Sequence, residues 1–232
     1  MLEIAQIRKL SLWIFFLPLI AINLCLIISI NFEFLNGTIF EVDMIGRSAF
    51  SIPYIDGSLS ISRASRTFPA YLVFKPAMIL TSVLLYFYWK KNNKIIGEFN
   101  QNLNKNYKFK TFGILSAIFL AIHSLLLGVD IDIKIFKLLR RVILLSFIIF
   151  EIIAQGFLVY HLYKLKSKIE MFFNPIILKL KIILVAVLAS VAILSLPILV
   201  TKGNVHFKHA LEWNYFIGVI AFYFLTRMFW KR

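Results

Sequence analysis

Six apolar runs, at about residues 10–31, 69–89, 111–129, 142–163, 182–200 and 211–230, fill most of the chain. Each is close to the ~20 residues that a helix rising about 1.5 Å per residue needs to cross a hydrocarbon core. Hydrocarbon offers backbone groups no hydrogen-bonding partner, so the segments placed there must be helices satisfied from within. The pattern predicts an all-α polytopic membrane protein, a bundle of six transmembrane helices forming a single domain over residues 1–232. Composition agrees: apolar residues are 60% of the chain and charged residues 16%, against about 45–50% and about 25% in soluble domains.

Arg8 and Lys9 precede the first run in the manner of a secretory signal. The run from Leu10 to Ile30 outlasts a signal h-region of about 7–15 residues, however, and no Ala-x-Ala site follows it. It reads as a retained span, in which Pro18 and Asn23 need neighbouring helices to satisfy what they disturb. The solitary cysteine, Cys25, lies inside this run. It allows no intrachain disulfide and no cysteine metal cage, and reads as a small apolar residue.

A net charge of +15 raises the question of nucleic acid, but the charges are sorted by side. With the N-terminus inside, the inner connections hold sixteen basic residues against Glu3, Glu98 and Glu170. The outer connections hold nine basic residues against seven acids, with four of the basic ones between Asp130 and Arg141. The positive-inside rule then places both termini in the cytoplasm. Attraction to anionic lipid accounts for the inner lysines, and no nucleic-acid partner is implied.

The largest outer connection, from about Asn31 to Phe68, contains Asp56-Gly57 between short alternating apolar stretches. That is a β-hairpin signal, with Pro53 on an edge strand. Asn36-Gly37-Thr38 forms a glycosylation sequon, meaningful only in a eukaryotic source. The inner segment from Lys90 to Lys110 reads as a solvated loop. Met171-Phe172-Phe173, between lysines in the inner segment 164–181, suits either a short interfacial element or a second solvated loop. Tyr86, Tyr88, Trp89 and Trp230 sit at span ends, where aromatic belts anchor helices. No internal repeat argues for a transporter built from two similar halves.

Polar residues inside the spans are costly and mark candidate sites. Glu151 lies near the middle of the fourth run, with Gln155 one turn later on the same face, and His123 lies in the outer half of the third. A short connection makes these two helices antiparallel neighbours, so His123 and Glu151 are candidates for one intramembrane polar site. Structural interhelix hydrogen bonding explains them equally well. A second constellation gathers at the outer interface: Arg63, Arg66, Lys75, His206, His209 and Glu212. Arginine forks suit phosphate oxygens, so this mouth is a candidate for a lipid headgroup. Snorkelling side chains and a local Glu212 salt bridge are the alternative. His206 and His209 share a helical face but lack the third or fourth ligand of a zinc site, so no metal is expected. Soluble catalytic and cofactor-binding motifs are absent, and no cofactor is implied.

The block Ile52-Pro53-Tyr54-Ile55 through Ser60, Arg63, Arg66 and Phe68, leading into a span that ends Tyr86-Phe87-Tyr88-Trp89, resembles the FGF-receptor-activating/DRAM/Sfk family. These are six-span membrane proteins that include the Cwh-type N-terminal domain and the GPI-anchor lipid-remodelling proteins. Ala210-Leu211-Glu212-Trp213, followed by Phe224-Leu225-Thr226 and Trp230, resembles the family's last span. Where some relatives carry a histidine before the fourth span, this chain has Lys137-Leu138-Leu139-Arg140-Arg141. Any histidine-dependent role at that position does not carry over.

The resemblance implies membrane-lipid biology and no particular catalytic mechanism. The leading expectation is a protein that binds or helps remodel a lipid at an outward-facing polar mouth. A small-solute or proton-coupled transporter using Glu151, Gln155 and His123 is the second reading, and a non-catalytic scaffold the third. The expected partners are membrane lipids and other membrane proteins. The expected location is a bacterial inner membrane, or the Golgi, ER or other endomembrane of a eukaryote.

Overall fold

A computed structural model describes residues 2–41, 51–102, 105–129, 133–201 and 203–231. Residues 42–50 of the large outer connection and Asp130 to Asp132 of the next lie outside them. The helices are α1 (Leu2–Ile30), α2 (Ile61–Arg66), α3 (Ala70–Phe99), α4 (Lys108–Leu126), α5 (Lys134–Lys164), α6 (Lys166–Ile169), α7 (Pro175–Val200) and α8 (Val205–Phe229). Local chemistry sets several of their starts. Ser60 caps α2 by accepting from the Arg63 N–H at 3.1 Å. Asn174 caps α7 through the Ile176 N–H at 3.0 Å, with Pro175 at the first helical position.

Five helices, α1, α3, α4, α5 and α7, are long and apolar enough to cross a membrane. α8 matches them at 25 residues, but Glu212, Asn214 and Arg227 dilute its hydropathy, so the count of six is met only in part. α1 packs on α3, α3 on α4, α4 on α5, α5 on α7, α7 on α8 and α8 back on α1. The long helices thus form a closed ring whose interior is filled by aromatic side chains, Trp89, Trp213, Phe222 and Tyr223 among them. Outside the ring, large apolar side chains are bare: Trp13 is 54% exposed and Leu194 74%. Only 17% of the α7 span is buried within the protein, against 33–39% of the other four. A surface this apolar belongs in lipid.

Ion pairs from Glu3 to Lys91 (3.0 Å) and Lys94 (2.8 Å) tie the start of α1 to the end of α3. Phe99 at that same end touches Phe172, and Phe173 forms an isolated bridge with Trp230. Both ends of the described chain therefore lie at one end of the bundle. At the opposite end, residues 51–66 pack on the start of α8.

Several expectations change. α3 does not stop near Trp89 but continues to Phe99, so residues 90–99 are helix rather than solvated loop. Their asparagines are buried because each has work for its amide. Asn92 donates to the Tyr88 carbonyl, and Asn93 bonds the Lys105 carbonyl and the Tyr107 N–H, holding the connection to α4. Tyr88, Trp89 and Trp230 are buried in the bundle, leaving Tyr86 exposed among the four predicted belt residues. Between Lys164 and Lys181 the chain forms α6 and a short 3-10 turn, Glu170–Phe172, with Met171 85% exposed. Among the described residues no strand forms around Asp56-Gly57. The hydrogen-bonded turn falls at residues 53–55 instead, and the carbonyls of Tyr54, Gly57 and Leu59 accept from α8 rather than pairing across a hairpin.

Candidate functional site

Glu151 on α5 is 1% exposed at the centre of the ring. Its carboxyl group is 2.6 Å from the Ser116 hydroxyl of α4 and accepts from Gln155 Nε2 at 3.0 Å. The Tyr223 hydroxyl of α8 donates to the same oxygen as Gln155. Gln155 also reaches the Val219 carbonyl at 3.3 Å, so one carboxyl group joins three helices. Gln155 follows it by one turn, as the spacing predicts.

A second polar group lies beside this one. Lys181 on α7 is wholly buried, its ammonium 3.9 Å from the centre of the Phe222 ring and 5.5 Å from that of Phe229. It donates to Thr226 Oγ1 at 2.6 Å. The Thr226 hydroxyl hydrogen goes to the Phe222 carbonyl at 2.9 Å, so the Tyr88 hydroxyl, 3.1 Å away, donates to Thr226 as well. Tyr88 and Tyr223 then meet edge to face, ring centres 4.9 Å apart. Amine and carboxyl group do not pair directly. They are linked through one threonine and two tyrosines.

His123 does not join this centre. It is buried on α4, seven residues beyond Ser116, and the charge near it is Arg140. His123 and Glu151, the two candidates for one polar site, are therefore not brought together: α4 and α5 are neighbours, but the histidine lies about two turns along α4 from Ser116.

The outer constellation divides in two. His209 Nδ1 is 2.9 Å from the Gly57 carbonyl, and the Glu212 carboxyl group faces the backbone of Ile61 and Ser62 at the start of α2. Trp213 donates to the Leu59 carbonyl at 2.8 Å, Asn214 to the Tyr54 carbonyl at 2.8 Å, and the Tyr54 hydroxyl to Asn23 at 3.0 Å. The first turns of α8 are thus a platform that clamps residues 54–62, and His209 and Glu212 belong to the clamp. Arg63 and Arg66 are instead exposed on α2. Lys75, half-buried further along α3, lies 5.4 Å from the centre of the Tyr71 ring. His206 is exposed, and its carbonyl closes over Gly57. Among the described residues no three His, Cys, Asp or Glu side chains are grouped to hold a metal.

Asp56 organises the clamped segment from within. Its carboxylate accepts from the Ser58 and Ile52 N–H groups, both at 2.8 Å, and these bonds hold its pKa below the usual 3.8. A lowered folded-state pKa contributes stability that is complete above the unfolded value and lost as pH falls through the folded one. Hydrogen exchange within residues 51–60, corrected for intrinsic rates, is expected to stay slow at neutral pH and accelerate below about pH 4. In Asp56→Asn that acid-induced step should vanish; its persistence would assign the step elsewhere.

Lys181, Thr226, Tyr223 and Ser116 are missed by the sequence reading. The apolar run starts at residue 182, which puts Lys181 on an inner loop. Two signals point the other way. Asn174-Pro175 is a helix start, and Leu178, Lys181, Val185 and Leu188 follow a helical stripe. Comparison of the chain with protein-family models, curated proteins and solved structures finds no match.

Proposed function

We propose that the chain is a six-span integral membrane protein that binds or helps remodel a membrane lipid at the end of the bundle formed by residues 51–66 and the start of α8. α8 is the sixth span in this reading, its polar side chains turned to the clamp and the core. The observation that carries the proposal is the exposed Arg63 and Arg66 on a short helix held at the rim, next to helix faces that are bare and apolar. Guanidinium groups at that depth match the phosphate oxygens of a headgroup. Lys75 stands nearer the hydrocarbon, while His209 and Glu212 position the arginine-bearing segment. The same block carries the resemblance to the DRAM/Sfk family. The charge bias of the connections supports a cytoplasmic location for both termini.

The test uses the protein in phosphatidylcholine vesicles doped with a photoactivatable phosphatidylglycerol. Arg63→Gln with Arg66→Gln should cut labelling of residues 51–75 several-fold while labelling elsewhere is unchanged. Equal labelling of that segment in variant and parent overturns the headgroup assignment.

A second reading, proton-coupled transport of a small solute, is favoured by one observation: a buried carboxyl group, Glu151, and a buried amine, Lys181, both lie inside the ring, each hydrogen-bonded to α8.

A further inference from the structure

The opposite end of the bundle carries a basic groove that the proposed function does not use. It lies between the start of α1, the end of α3 and the start of α4, with a volume of about 550 Å³. Lys90, Lys91, Lys94 and Lys110 line it, against a single lining carboxylate, Glu3. Glu3 is committed: it holds Lys91 and Lys94 at 3.0 and 2.8 Å. Lys90 rests 5.6 Å from the centre of the Tyr86 ring, and Lys110 reaches Asn106 Oδ1 at 2.8 Å. Among the described residues no carboxylate lines the groove on their side. Four ammonium groups line the groove against one lining carboxylate, and with Glu98 acting on Lys94 from outside the lining the groove keeps a net positive charge, in a space large enough for a small polar ligand.

The wall of the groove indicates what kind of anion fits. Phe87 lines it, 45% exposed on α3, so the basic hollow opens directly onto the apolar flank of the bundle. A ligand with phosphate oxygens at one end and hydrocarbon at the other fills both. Lysines at helix ends lie at headgroup depth, where each adds to the attraction for anionic lipid.

We infer that this groove binds the phosphate headgroup of an anionic phospholipid, with an acyl chain running along Phe87. The site is distinct from Arg63 and Arg66, at the other end of the ring, and does not rest on them.

Two substitutions of opposite sign test it in the same vesicles, labelling being mapped to peptides spanning residues 87–110. Lys90→Gln with Lys110→Gln leaves the Glu3 pairs intact and should cut phosphatidylglycerol labelling there about tenfold. Lys90→Arg with Lys110→Arg should restore it. Glu3→Gln removes the lining carboxylate, leaving Lys91 on Gln6, and should raise it. Labelling of residues 51–75 should not move with any of these changes, which separates this site from the rim. Photoactivatable phosphatidylcholine should label the groove weakly. Equal labelling by the two lipids, or indifference to both lysine substitutions, overturns the assignment. Complete displacement of the lipid by inorganic phosphate would make the groove a site for a free anion and equally overturn it.

Discussion

Glu151→Ala is expected to lower the unfolding free energy by about 3–5 kcal/mol, from the cavity it opens and the hydroxyl donor it strands. Tyr223 loses the acceptor of its buried hydroxyl, while Ser116 and Gln155 retain carbonyl contacts to Gly113 and Val219. Glu151→Gln keeps the volume and one acceptor oxygen, and should cost only about 1 kcal/mol. Reversible unfolding in mixed micelles separates the two; equal losses would mean that the carboxyl group is not the hub. The milder variant also decides the transport reading. In liposomes, Glu151→Gln should abolish any pH-dependent flux while the protein stays folded. A protein without flux, or flux that survives the substitution, removes the relay from consideration.

Gly57→Ala should be nearly as damaging, through the clamp rather than the core. Gly57 has φ of +59°, and a Cβ at this position would overlap the His206 carbonyl oxygen. The left-handed backbone costs an alanine about 1–2 kcal/mol, and the collision with backbone adds about as much again. Relief requires residues 54–62 to lift from α8, breaking the Trp213 and His209 bonds together. Hydrogen exchange and limited proteolysis should both rise in this segment and not in α3 to α5. Gly37 provides the control, since it has a similar φ of +73° and a Cβ there would meet nothing within 4 Å. Gly37→Asn is therefore expected to be nearly neutral.

The contrast between His123 and Lys181 explains what is legible in the sequence. Hydropathy locates the long helices because membrane burial is a property of whole segments, and twenty residues average out local exceptions. It places Glu151 and Gln155 on one face because one helix relates them. It fails for His123 because closeness across two helices depends on vertical offset, which neighbouring helices do not specify. It fails for Lys181 because a charge at the edge of an apolar run looks like the end of a span. Only the Asn174-Pro175 cap shows that the helix starts earlier. Tyr88 and Trp89 mislead similarly: span-end aromatics ordinarily mark the interface, but here α3 continues for ten residues and carries both into the interior. Asp56-Gly57 misleads for a related reason: the turn closes at residues 53–55, and what holds the segment is α8, about 150 residues away in the chain.

The Lys181 bond also constrains the order in which the ring assembles during synthesis. Thr226 lies 45 residues downstream, and both rings flanking the amine, Phe222 and Phe229, belong to the same late helix. Among the described residues, the hydroxyl and both aromatic faces against that lysine come from α8. Until α8 arrives, its side chain can only reach for the headgroup layer. α8 is thus the helix that closes the ring, clamps residues 54–62 at one end and shelters the buried amine near the other.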